Sequence, residues 1–132
     1  MIILGSEYIP YPQFSFITNI ENIKTTPSRS NLFFSFDLEV MDYCSKNDIP
    51  YSVFVDDVTQ AIYANSLHAQ FIFIYDLQTA SKIQKIAENY MFDSKIIYII
   101  QDDTHIEEVA NQGIDGVIFN SILQGFQNER DY

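Results

Sequence analysis

The chain of 132 residues carries 7 Lys plus Arg against 18 Asp plus Glu, a formal charge of −11. Its 47% hydrophobic and 15% aromatic residues suffice for a buried core, which excludes a disordered chain, and the length predicts one domain over residues 1–132. Acidity of this degree repels phosphate backbones and anionic headgroups, so neither nucleic acid nor a membrane surface is an expected partner.

Residues 1–31 read as an irregular, extended arm. Met1–Leu4 and Phe14–Ile17 each have strand composition, but Pro10 and Pro12 break the segment between them and Thr26, Pro27, Ser28 and Ser30 mark a loop. Tyr8, Tyr11, Phe14 and Phe16 give the arm aromatic surface. It is expected to pair at a sheet edge, or to reach a protein partner or a second copy. The first residues lack the layout of a signal peptide, no apolar run approaches the roughly 20 residues that span a bilayer, and Cys44 has no second cysteine to pair with. A cytoplasmic protein with a buried, inert thiol is expected.

From residue 32 to 123 short β-branched and aromatic runs alternate with stretches of helical period, the pattern of βα units. The strands fall at Leu32–Phe36, Tyr51–Val55, Phe71–Tyr75, Ile96–Ile100 and Gly116–Phe119. They are almost continuously apolar, as strands covered on both faces are. The clearest helix runs from Leu77 to Met91, with Ala80, Ile83, Ile86, Ala87 and Tyr90 as its apolar stripe. Asn47 and Gly113 are the expected left-handed helix stops. Residues 124–132 read as a C-terminal tail. The expected fold is a three-layer α/β domain with a mostly parallel open sheet of about five strands, Rossmann-like or flavodoxin-like. Doubly wound order is favoured over a half barrel because this length cannot close eight strands.

Four successive strands end in acid: Asp37, then Asp56 and Asp57, then Asp76, then Asp102 and Asp103. Asp is a favoured N-cap and its charge suits the positive end of a helix dipole, so capping explains most of them. The carboxyl edge is also where open α/β sheets bind ligands, and converging carboxylates there would suit Mg²⁺ or a cationic ligand. Asp56, Asp57 and Asp76, with Asn120 and Ser121 at the last strand's exit, are the candidate ligand-binding residues, and Asp37, Asp102 and Asp103 the candidate catalytic and metal-binding ones. His105 and Glu108, three apart, would share a helix face, which makes His105 a further candidate ligand. His68, near the end of the second helix, is expected to make a terminal interaction. A shift of 46 residues places Asp56 and Asp57 on Asp102 and Asp103, which the reuse of one structural grammar explains. All four glycines are isolated, so neither the dinucleotide fingerprint nor a P-loop is present, and no nucleophile elbow occurs.

Three local resemblances follow. Ile96–Phe119, with Asp102 and Asp103, together with Asp37 in Phe34-Ser35-Phe36-Asp37-Leu38-Glu39-Val40, resembles the strands of haloacid-dehalogenase-like phosphatases. That implies a Mg²⁺-dependent phosphohydrolase using those three aspartates. Gly113–Ser121 resembles the phosphate-binding end of TIM-barrel βα units, and Val55-Asp56-Asp57 resembles a response-regulator receiver. The overall pattern is similar to small uncharacterised bacterial α/β proteins of no assigned activity. With no catalytic set complete, the expected function is a non-catalytic module that binds a protein or small ligand. The alternative is the Mg²⁺-dependent phosphohydrolase-like enzyme.

Overall fold

The structure, a computed structural model, describes residues 1–123; the expected tail at 124–132 lies outside them. Seven strands form one sheet: β1 (Ile2–Leu4), β2 (Phe14–Phe16), β3 (Asn31–Ser35), β4 (Tyr51–Phe54), β5 (Phe71–Ile74), β6 (Lys95–Ile100) and β7 (Gly116–Phe119). Helices α1 (Leu38–Lys46), α2 (Val58–Ser66), α3 (Leu77–Asn89) and α4 (Ile106–Asn111) fill the crossovers from β3 onward. None of the described helices is long and apolar enough to cross a membrane.

Every strand pair is parallel and the spatial order is β1-β7-β6-β5-β4-β3-β2. From β2 to β7 each crossover moves to the next strand in the same direction, so the order never reverses. All four helices therefore pack on one face. Met41 and Cys44 of α1, Ala61 and Ala64 of α2, Ile83 of α3 and Val109 of α4 share a single core with Phe34, Tyr51, Val53, Ile72 and Ile96. The opposite face is a second core built from strand residues, among them Leu4, Phe33, Phe54, Phe73, Ile97 and Ile118. It is dry because the sheet curls on itself. Phe14 of β2 lies 6.1 and 6.0 Å from Phe71 and Phe73 of β5. A flat sheet would hold those strands about 14 Å apart, three spacings of about 4.8 Å.

The expected three-layer, doubly wound sheet of about five strands is thus corrected to a singly wound, curled, open sheet of seven. The two additional strands come from the arm, and they take opposite edges: β1 pairs with β7 and β2 with β3. The loop joining them carries Tyr8 (86% exposed), Ile9 and Tyr11 at the surface. The sheet stays open between β1 and β2, where Tyr11, Gln13, Phe14 and Ile122 line a gap of about 380 Å³. Gly116 makes the β1 edge fit. A Cβ there would stand 2.4 Å from the Ile2 carbonyl oxygen, so only glycine lets the two backbones approach.

Three polar devices fix the amino-terminal end of the sheet. The Gln84 Nε2 amide donates to Asp115 Oδ1 (3.1 Å), while the Asp115 N–H donates back to Gln84 Oε1 (3.0 Å). Asp115 also receives the Ile96 N–H on Oδ2 (2.9 Å) and the Ile2 N–H on its carbonyl (2.9 Å), so one residue ties α3, β6 and β1 together. On the concave side Ser52 donates to Asn31 Oδ1 (2.8 Å) and Asn31 Nδ2 donates to Gln70 Oε1 (2.6 Å). The helices end in left-handed residues: Asp48 (φ 54°), His68 (φ 69°), Met91 (φ 54°) and Gly113 (φ 71°). Gly113 was expected. Asn47 instead holds φ −108° as the cap of α1 and hands the left-handed position to Asp48.

Candidate functional site

Because the sheet is all parallel, every strand delivers its carboxyl end to one rim, and the acids stand there in sheet order. Asp37 leaves β3, Asp56 and Asp57 leave β4, Asp76 leaves β5, and Asp102 and Asp103 leave β6. All six are exposed. Four are helix caps, as their residue type suggests. Asp37 Oδ1 accepts the Val40 N–H (3.2 Å) at the start of α1, and Asp57 Oδ1 accepts the Gln60 N–H (2.8 Å) at the start of α2. Asp76 Oδ2 accepts both the Thr79 N–H (2.9 Å) and the Thr79 hydroxyl (2.7 Å) at the start of α3. Asp102 Oδ1 accepts the Thr104 N–H (3.0 Å) and the Thr104 hydroxyl at a 3-10 turn, Asp103–His105.

Each cap spends one carboxylate oxygen, and the other makes no hydrogen bond with the described residues. The threonine hydrogen bonds hold the Asp76 and Asp102 carboxyls below the usual aspartate range, because they favour the ionised form. The ion pairs among the described residues, Lys46–Asp42 and His105–Glu108, touch none of the rim aspartates. Among the described residues, no ion pair offsets the charge of this anionic arc.

Asp56 differs from the caps. Its backbone N–H donates to Gln60 Oε1 (2.8 Å), while its carboxylate makes no hydrogen bond with the described residues. Ser52 and Phe54 of β4 face the concave core, and continuing their alternation carries Asp56 to the mouth of that core. By the same count Tyr75 follows Phe71 and Phe73, and Asn120 follows Ile118. Tyr75 is 40% exposed and stacks on Phe54 at 5.8 Å with a 13° interplanar angle. Asn120 and Ser121 begin the 3-10 turn that leaves β7.

Of the three candidate catalytic residues, Asp37 follows β3 while Asp102 and Asp103 follow β6. A doubly wound sheet can set the strands of Asp37 and Asp102 side by side; here β4 and β5 stand between them in the sheet order. Among the described residues no three His, Cys, Asp or Glu side chains gather so as to hold a metal ion. His105 shares a helix face with Glu108 as its spacing suggests, with Nδ1 3.9 Å from Glu108 Oε2, and both are exposed. The 46-residue repeat does not carry a common role, since the second acid of the pair Asp56–Asp57 caps its helix and the first acid of Asp102–Asp103 does. Cys44 is fully buried and burial pushes its thiol up to about 11. Burial also raises the Tyr51 hydroxyl, which donates to the Leu67 carbonyl (2.7 Å).

The cavities that sequence reasoning missed lie at the opposite end, where strands begin. One of about 610 Å³ is lined by Ile2, His68, Phe71, Asp93 and Lys95, among others, and one of about 640 Å³ by Arg29, Asp48 and Pro50, among others. The available signal was Lys95, a charge on the inward-facing register of an apolar strand.

No protein-family model matches the chain, and no curated protein matches it. Among solved structures, the chain is similar to an Oleispira antarctica phosphodiesterase described in complex with its product sn-glycerol-3-phosphate. The two are 21% identical with a TM-score of 0.47, over 84% of this chain and 46% of that one. This chain thus spans about half the length of that protein.

Proposed function

We propose that this is a non-catalytic domain that binds a small organic cation at the carboxyl-end mouth of the curled sheet. The observation that carries the reading is Asp56, two residues beyond β4, whose carboxylate caps no helix and which leaves the strand next to that of Tyr75. A carboxylate beside an aromatic ring is a cation site by charge and by ring quadrupole together. The carboxylates of Asp57, Asp76 and Asp102 add a field of the same sign and speed the encounter. Ser121, in the 3-10 turn that leaves β7, is a further candidate to hydrogen-bond the ligand.

Calorimetric titration with spermidine, at low salt and at 0.15 M, tests it. Wild type binds, more weakly at the higher salt, and Asp56→Asn weakens binding about tenfold with unchanged thermal unfolding, the equivalent of 1.4 kcal/mol. Absence of heat at low salt, or an Asp56→Asn variant equal to wild type, overturns the site. Mg²⁺-dependent hydrolysis of p-nitrophenyl phosphate that Asp37→Asn abolishes would replace the non-catalytic reading with the phosphohydrolase one.

A further inference from the structure

The geometry points to a second binding site, for a small zwitterion of the α-amino-acid class with an apolar side chain, in the 610 Å³ cavity at the amino-terminal end of the sheet. Its size falls within the roughly 300–1,000 Å³ of small-molecule sites. It lies at the starts of β1, β5 and β6, the length of a strand away from the acidic rim, and owes nothing to it.

Two features identify the ligand. First, the wall holds charges of both signs, Asp93 and Lys95, which flank the buried Ser94. Neither forms an ion pair with any described residue, so a cation and an anion stand ready in one cavity without neutralising each other. A ligand that meets both must carry both charges, with its carboxylate on Lys95 and its ammonium on Asp93. Secondly, Ile2, Ala69 and Phe71 supply an apolar wall that would take the side chain. His68 adds an imidazole whose Nδ1 is engaged by Ser45 Oγ (2.7 Å), which orients the ring and leaves Nε2 for the ligand.

The walls are also preorganised. Ser94 donates its N–H to Asn65 Oδ1 (3.1 Å) and its hydroxyl to the Ala69 carbonyl (2.5 Å), locking the start of β6 to the end of α2. The Lys95 N–H donates to the Gln70 carbonyl (3.0 Å), and the Gln70 N–H to the Tyr51 carbonyl (2.8 Å). These bonds occupy main-chain groups and inward-turned atoms. The charged ends of Asp93 and Lys95 are left over, so binding need not order the cavity first.

The test is a ¹⁵N amide NMR titration of the full chain with L-leucine, L-leucinamide and N-acetyl-L-leucine, each to about 10 mM, above the millimolar Kd expected of a small ligand. L-leucine should shift the amides of residues 65–71 and 93–95. Leucinamide, lacking the carboxylate, and the acetyl derivative, lacking the ammonium, should each bind at least tenfold more weakly. Lys95→Gln should erase the discrimination against leucinamide and Asp93→Asn that against N-acetyl-leucine. Both positions are exposed and leave the fold intact, which circular dichroism checks. Asp56→Asn should leave leucine binding unchanged, separating this site from the rim. No shifts at these amides, equal affinity for the three ligands, or variants that weaken all three alike would overturn the inference.

Discussion

Replacing Gln84 by Leu removes one side of the clamp that joins α3 to the start of the last strand. Gln84 is 4% exposed, and its amide both donates to the Asp115 carboxylate and accepts the Asp115 N–H. Leu fills most of the same volume, so little cavity forms and the loss is polar. A hydrogen bond to a charged group contributes roughly 1.5–3 kcal/mol and a neutral one about 1, while Asp115, half-buried, retains partial access to water. We expect a destabilisation of about 3 kcal/mol. At about 2.1 cal/mol/K per residue, unfolding this chain gains about 0.28 kcal/mol/K, so the midpoint should fall by about 11 °C. Thermal unfolding followed by circular dichroism measures it. Ser81→Ala is the control, because its bond to Gln112 Oε1 (3.1 Å) is exposed and its loss should stay within about 0.5 kcal/mol. If Gln84→Leu melts within about 2 °C of wild type, Asp115 finds equivalent partners in water and the clamp reasoning is wrong.

Three further outcomes can be checked. Met91→Gly should raise stability by about 0.5–1 kcal/mol in urea titrations, because Met91 holds φ 54° while 85% exposed, so glycine relieves the left-handed strain and gives up little packing. Cys44, with its thiol pushed up to about 11, should resist iodoacetamide in the native state at pH 8 and react at the rate of unfolding when urea is added. Asp76→Ala should unfold at a lower temperature than wild type at pH 7. Because the folded Asp76 carboxyl is depressed, that difference is complete above the unfolded value of about 3.9 and closes as pH falls through the folded one; a gap still present at pH 1 would refute the assignment.

The strands from Leu32 onward and the capping aspartates were legible because each rests on local signals, namely apolar runs and Asp ahead of a helix. The layer count was not. Phe33 and Phe54, facing the concave core, are as apolar as Phe34 and Val53, facing the helices, so composition cannot say whether helices or more sheet cover a face. The short edge strands β1 and β2 depend on pairing with residues far away in sequence, and their own three residues apiece carry little signal. Tyr90 belongs to the expected stripe of α3 yet is 74% exposed, while Gln84 is buried in its place, because the partner that satisfies Gln84 is 31 residues distant. At the candidate site the acids were found by type, but which of them is free of a helix turned on a strand register that only the fold supplies.

The pairing of Ile2 with Gly116 joins positions separated by 114 residues. On a ribosome adding 5–20 residues per second, β1 waits roughly 6–23 s for its neighbour. During that interval β2 to β6 can assemble in the order they are made, each on the edge left by the one before. Among the seven described strands, β1 is thus made before its neighbour β7 by the longest interval, and its docking beside Gly116 comes after β7 is in place. A substitution that crowds Gly116 would leave that step undone in a chain that is otherwise folded.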